Sequence, residues 1–202
     1  MTPHLLLTLA AYLAGSIPTS HWVARGFYGK DLRTEGSGNL GATNVYRVLG
    51  WAAALPVLLV DIAKGWAPAA LFPLLTPGAS PAWAVAYGAA AIAGHVFSFW
   101  VGFKGGKGVA TSCGVFLALA PWAALIGFGV WAGAVYSTGY VSVGSILAAI
   151  ALPVALLFTQ YRGGPALPAF AAGLGLFIVW AHRGNIRRLL KGEEPRFGKR
   201  AG

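Results

Sequence analysis

The sequence predicts an all-α, polytopic integral membrane helix bundle of about seven transmembrane helices, and three observations carry that expectation. Only 10% of the 202 residues are charged while 57% are hydrophobic, where a water-soluble domain usually has about 25% charged residues. The apolar runs are long and unalternating, without the strand-length dyad period of a membrane β-barrel. The charges sit in a few connecting segments, so the formal charge of +10 reflects topology. No folded soluble basic face is offered to nucleic acid.

Leu5 to about Ala24 is the first apolar run, roughly long enough at about 1.5 Å per residue to cross a ~30 Å core. The chain start lacks the basic leader and small-residue cleavage site of a signal peptide, so this run is expected to stay as an anchor. Gly15-Ser16-Ile17-Pro18 interrupts it. Proline frees a backbone carbonyl that neighbouring helices can satisfy, which reads as a packing kink.

Arg25 to Arg47 is polar and contains Gly36-Ser37-Gly38-Asn39-Leu40-Gly41-Ala42-Thr43-Asn44. It matches G-x-G-x-x-G literally, but no strand precedes it and its flanks are membrane segments, so a dinucleotide fold is excluded. Small hydroxyl and amide side chains, close backbone approach and Arg47 one turn on still suit an anion. A Gly/Asn turn capping the next helix is the structural alternative.

Trp51 to Leu75 is the second span and holds Asp61 and Lys64. At i,i+3 they share a helix face and neutralise each other, an ion pair expected to support the site. Thr76 to Pro81 turns, and Trp83 to Val101 returns with His95 near its end. The next connection, Gly102-Phe103-Lys104-Gly105-Gly106-Lys107-Gly108, is glycine-rich and dibasic. Consecutive glycines let N–H groups converge on one spot, and a helix starting near Lys107 favours an anion at its N-terminus. A phosphate is the expected guest; a loop whose lysines merely anchor the membrane edge is the plain alternative. A Walker A loop is excluded because Gly108 follows Lys107 where Ser or Thr is needed.

Val109 to Ala120 is short and Pro121 ends it. Trp122 to Val135, Val143 to Phe158 and Leu167 to Trp180 complete the count, and His182 to Gly202 forms a basic tail. Seven crossings result, or five if the short Val109 to Ala120 segment does not span. With seven, segments 25–47, 102–107, 136–142 and 182–202 share one side with nearly every lysine and arginine. That puts them in the cytoplasm and the N-terminus outside. No repeat or linker is apparent, so residues 1–202 read as one domain. The lone Cys113 excludes an internal disulfide and a cysteine cluster, and the acids and histidines are too scattered to hold a metal.

Three motifs occur in register. They are Gly15-Ser16-Ile17-Pro18 with Gly36 to Arg47, Gly94-His95-x-Phe97 with Phe103 to Thr111, and His182-x-x-Asn185-x-x-Arg188-Leu189-x-x-Gly192-x-Glu194. Over essentially the whole chain this resembles the bacterial acyl-phosphate:glycerol-3-phosphate acyltransferases of phospholipid synthesis. Ser98 departs from the proline that the family commonly has after Phe97.

The resemblance implies transfer of a fatty acyl group from acyl phosphate to the 1-hydroxyl of sn-glycerol 3-phosphate, giving lysophosphatidic acid and inorganic phosphate. It implies a bacterial cytoplasmic (inner) membrane setting, an active site on the cytoplasmic side, and no cofactor. It associates Ser37 and Arg47 with activity, Lys104 to Gly108 with the glycerol 3-phosphate site, and Asn185 and Glu194 with activity or integrity. The other large glycerolipid acyltransferase class uses a histidine followed four residues later by aspartate, which neither His95 nor His182 has.

Acyl phosphate is already activated, so direct attack by the glycerol hydroxyl needs no protein nucleophile. In this reading Lys104, Lys107 and Arg47 hold the two phosphates beside a nest of Gly105, Gly106 and Gly108. Asn39, Thr43, Asn44, Arg188 and Glu194 complete the binding set. Ser37, Asn39, Ser142 and Asn185 are candidate donors to the oxyanion. Proton removal falls to His182 or to the leaving phosphate. A small organic-phosphate or anion transporter with basic cytoplasmic loops is the alternative, though the matching broken helices common in such proteins are missing.

Overall fold

The computed structural model describes residues 2–198; the last four residues of the expected basic tail lie outside them. The described residues contain ten α-helices and two short 3-10 turns joined by loops, with no strand among them. In chain order the helices are α1 (Thr2–Ser16), α2 (Thr19–Tyr28), α3 (Ala42–Leu49), α4 (Trp51–Leu71), α5 (Ala82–Val96), α6 (Val109–Leu119), α7 (Pro121–Thr138), α8 (Val141–Leu156), α9 (Ala166–Ala181) and α10 (Arg183–Leu190).

Among the described residues, two stretches suffice by length and composition to cross a membrane unaided: Trp51–Leu75 and Ala82–Val101. Helices α9 and α10 form a third if the pair, bent by 51°, acts as one span. Helices α6 and α8 are apolar but shorter.

The first apolar run is two helices, not one kinked span. Pro18 stops α1 with a backbone conformation of φ −87°, ψ 67°, because its ring and missing N–H cannot continue the hydrogen-bond ladder. The freed carbonyls find donors on other elements. Ser98 Oγ donates to Ser16 O at 2.5 Å and Lys64 Nζ to Ile17 O at 2.9 Å. The departure at Ser98 therefore supplies a hydroxyl that ties the segment after α5 to the break.

Helix pairs approach closely where glycine faces backbone. A Cβ on Gly15 would lie 2.0 Å from Ala91 O and one on Gly94 2.1 Å from Tyr12 O, which seats α1 on α5. Gly65 against Thr111 O (2.1 Å) and Gly114 against Ile62 O (2.0 Å) do the same for α4 and α6. Lipid gives no hydrophobic drive between helices, so such small-residue contacts carry much of their association.

The main core gathers Phe116, Leu119, Leu156, Leu167 and Ile178 from α6, α8 and α9. A second cluster joins Leu32, Leu40 and Val45 to Val57 of α4 and to Val101. It folds the polar 25–47 segment back onto the bundle, so α3 lies packed against α4 instead of projecting away.

Candidate active site

The ends of the motif-bearing segments converge. Glu194 is the knot: its Oε1 accepts from Ser142 Oγ at 2.9 Å and from Asn185 Nδ2 at 2.7 Å, and its Oε2 accepts from Arg188 Nε at 2.8 Å. Lys107 Nζ donates to Asn185 Oδ1, and Arg47 Nη2 donates to the Pro195 carbonyl at 3.3 Å. The 36–47 segment, the glycine-rich loop, the start of α8 and the tail thus meet at one place.

They enclose the mouth of a cavity of about 280 Å³. Its polar end is lined by Ser37, Asn39, Thr43, Asn44, Arg47, Lys107, Gly108, Ser142, His182, Asn185 and Glu194. Its apolar arm runs between helices, past Leu58, Cys113, Phe116, Gly127, Phe128, Trp131 and Leu152. From Ser142 to Leu152 along α8 the arm is about 15 Å deep at the helical rise. A polar mouth on a lipid-depth apolar arm suits a ligand that is a phosphate at one end and a hydrocarbon chain at the other.

The charges at the mouth are unbalanced, with Arg47, Lys107 and Arg188 gathered at the carboxylate of Glu194, while the other acid on the cavity wall, Asp61, is paired with Lys64. Burial lowers the Lys107 pKa to about 8, Glu194 opposing that shift and Arg188, Arg47 and Arg183 adding to it. Burial also draws Arg47 below the usual arginine value. Burial alone would raise Glu194, but the hydrogen bonds from Asn185, Ser142 and Arg188 outweigh it and hold the carboxyl below its ordinary value. The mouth holds more positive charge than it can neutralise itself, which favours an anion.

His182 is buried, and its Nδ1 lies 2.8 Å from Ile178 O. A carbonyl can only accept, so Nδ1 carries the proton and Nε2 is left with its lone pair. Burial, then the charge of Lys107, lowers its pKa to about 4, leaving the ring neutral near pH 7.

Four expected site residues lie off the cavity wall: Lys104, Gly105, Gly106 and Arg188. Lys104 is exposed and follows Phe103, whose φ of 61° turns the chain outward. The lysine that turns inward is Lys107. The expected nest is not formed at Gly105 and Gly106, because their N–H groups are already used: Gly105 donates to Val96 O at 2.9 Å and Gly106 to His95 O at 3.2 Å. Of the three, Gly108 alone lines the cavity, with a φ of 83° that favours glycine. Arg188 acts from behind Glu194.

Asn44 also departs from an anion-binding role. Its Nδ2 donates to Leu32 O (3.3 Å) and Glu35 O (3.1 Å), and its Oδ1 accepts from Ser37 N–H (2.8 Å). It shapes the loop that presents Ser37. A Cβ on Gly36 would lie 2.3 Å from Asn44 Oδ1, so the motif's first glycine makes room for that amide. Sequence alone does not single out the lining of the apolar arm, since Gly127, Phe128, Trp131 and Leu152 lie in the spans 122–135 and 143–158 and meet only in three dimensions.

The glycerol-3-phosphate acyltransferase family model matches residues 5–192. The chain belongs to that family. A glycerol-3-phosphate acyltransferase of Synechococcus sp. (strain JA-3-3Ab) is 50% identical over 198 residues, covering 97% of this chain and 94% of the relative. The Geobacter sulfurreducens enzyme of the same name is 44% identical over 197 residues, covering 98% and 99%. Among solved structures, the glycerol 3-phosphate form of PlsY (YgiH), an integral membrane glycerol 3-phosphate acyltransferase, superposes with a TM-score of 0.88 at 42% identity over 96% of each chain. Its lysophosphatidic acid form gives 0.85 at 40%, over 96% of this chain and 95% of that one. In this acyltransferase fold the cavity mouth described above is where the three motifs of the sequence come together.

Proposed function

We propose that this membrane acyltransferase moves a fatty acyl group from acyl phosphate to the 1-hydroxyl of sn-glycerol 3-phosphate, releasing lysophosphatidic acid and inorganic phosphate. The observation that carries the reading is the single cavity in which Ser37, Arg47, Lys107, His182 and Asn185 surround a cationic mouth while an apolar arm leads between the helices. Both substrates bring a phosphate to the mouth, and the arm takes the acyl chain.

Lys107 holds the phosphate of glycerol 3-phosphate and Arg47 that of the acyl donor, with Glu194 fixing Lys107 through Asn185 and the adjacent Pro195 carbonyl holding Arg47. The hydroxyl attacks the acyl carbon directly, the bond to the leaving phosphate breaks, and Ser37 donates to the oxyanion, the Ser142 proton being committed to Glu194. His182 accepts a hydrogen bond from the attacking hydroxyl at Nε2 and orients it. With its pKa at about 4 it is a weaker base than the leaving phosphate, since even an esterified phosphate such as phosphoserine has its second ionisation at about 6 and the released group is more basic still. The proton therefore finishes on phosphate. Holding the reactants in line can account for up to ~7–11 kcal/mol of barrier lowering.

The topology that fits this chemistry has seven crossings, the N-terminus outside and the mouth at the cytoplasmic face of the bacterial inner membrane, where both phosphates are available. Excess lysine and arginine in the segments around the mouth supports that orientation. Residues 1–202 act as one domain.

The test is acyl transfer from acyl phosphate to radiolabelled glycerol 3-phosphate by the purified chain in detergent micelles. Labelled lysophosphatidic acid is the expected product. A chain that makes none, yet moves glycerol 3-phosphate across vesicle membranes, is a transporter and overturns the proposal.

A further inference from the structure

Beside the glycine-rich loop lies a buried ionic cluster that the chemistry above does not use, although two of its members, Asp61 and His95, reach the wall of the same cavity. Asp61, Lys64 and His95 are 2%, 8% and 6% exposed. Lys64 Nζ sits 2.8 Å from Asp61 Oδ1, and His95 Nδ1 lies 3.7 Å from the same oxygen. Charges at membrane depth are expensive to keep and mark function by default. His95 is badly placed for proton transfer, however, since its Nε2 faces the loop backbone. A Cβ on Gly106 would stand 2.2 Å from that nitrogen, and one on Gly105 2.0 Å from the His95 carbonyl.

We propose that Asp61, Lys64 and His95 are positioning residues that fix the backbone bearing Lys107, and so set the affinity of the mouth for the phosphate of glycerol 3-phosphate. The imidazole and its carbonyl form the surface on which Gly105 and Gly106 are laid, and Lys107 is the next residue. Asp61 orients the ring by charge, as 3.7 Å is too long for a hydrogen bond. Lys64 holds Asp61 and anchors the cluster to the Ile17 carbonyl at the break between α1 and α2. Glycine at 105 and 106 is then required for contact with His95, not for wrapping an anion. This inference rests on the reading that Lys107 holds a substrate phosphate.

The test compares the parent with Gly106→Ala, His95→Ala and the double variant, measuring kcat and both KM values alongside monodispersity and Tm. The expected result for His95→Ala is a KM for glycerol 3-phosphate raised about 10-fold or more, with the KM for acyl phosphate unchanged, because only an interaction at the first substrate is lost. Gly106→Ala, which drives a methyl into the ring, is expected to lose up to about 100-fold in kcat/KM, as a misplacement near 1 Å can. Removing the ring in the double variant restores at least part of that loss.

A His95→Ala chain that loses kcat with both KM values unchanged has only lost folded enzyme, and overturns the proposal. So does a double variant no better than Gly106→Ala. Should His95→Ala fail to fold, His95→Gln takes its place under the same criterion, and failure of both to fold also counts against positioning. An inactive parent would instead overturn the acyltransferase reading itself.

Discussion

Lys107 and Asn185, 78 positions apart, are joined by a hydrogen bond from the ammonium to the side-chain carbonyl. Asn185 passes the connection to Glu194 through its amide nitrogen at 2.7 Å. The loop after α5 and the tail after α9 are therefore one electrostatic unit. A phosphate entering the mouth meets cations whose positions are already set.

Lys107→Ala is expected to reduce kcat/KM by orders of magnitude, and Arg47→Ala likewise. Lys104→Ala, at an exposed position off the cavity wall, is expected to stay within a few-fold of the parent. Initial rates of labelled lysophosphatidic acid formation check this. Equal losses at both lysines would put the inward assignment of Lys107 in error.

The depressed Lys107 pKa sets a pH dependence of activity and of stability with opposite signs. As pH rises through about 8, the free enzyme loses the ammonium, so kcat/KM for glycerol 3-phosphate is expected to fall there. In the unfolded chain the lysine titrates near about 10.4, so between the two values the unfolded state binds more protons and stability rises with pH. Below about pH 8 the buried charge is a full cost to the fold. Lys107→Met should accordingly raise Tm at pH 7 while abolishing transfer. Glu194→Gln removes the carboxylate that favours the charged form, and its alkaline limb should move to lower pH.

Breaking the pair in α4 separates charge balance from packing. Asp61→Asn leaves Lys64 buried without its counter-ion and is expected to cost about 3–5 kcal/mol of stability, whereas replacing both residues by apolar ones of similar size costs less. Denaturant or thermal unfolding in detergent measures both. A double variant less stable than Asp61→Asn would show that the bond from Lys64 to Ile17 O dominates.

The apolar arm should select the acyl chain. A Cβ on Gly127 would face Leu152 Cδ1 at an ordinary 3.7 Å, so a larger side chain there extends into the arm instead of colliding with backbone. Gly127→Leu is expected to shift preference toward shorter acyl phosphates with little change in the KM for glycerol 3-phosphate. A donor series compared by kcat/KM checks it, and an unchanged chain-length profile would place the acyl chain elsewhere.

Much of this could be read from residue order, because in a membrane protein the long apolar runs and the polar interruptions are both conspicuous. The ion pair of Asp61 and Lys64 followed from i,i+3 spacing, and the helix change at Pro121 from proline itself. What stayed hidden depends on direction. Sequence shows two lysines in the loop but not that Phe103 turns one outward and the next glycines, pressed on His95, turn the other in. Gly105 and Gly106 looked like an anion nest because glycine serves close approach to a ligand and to a neighbouring helix equally well. Asn44 looked like a ligand for the same reason: its amide can bind an anion or shape its own loop. The kink foreseen at Pro18 is a full break because donors on distant elements, Lys64 and Ser98, satisfy the freed carbonyls.

The central claim is that chain segments far apart in sequence hold one phosphate jointly at the mouth of the cavity. A crystal structure of the chain with glycerol 3-phosphate bound tests it most directly. The expected position puts the phosphate within hydrogen-bond reach of the Lys107 ammonium inside the cavity, with Arg47 and Ser37 on the same wall. A phosphate held on the outer side of the loop by Lys104, with the cavity mouth empty, would contradict it.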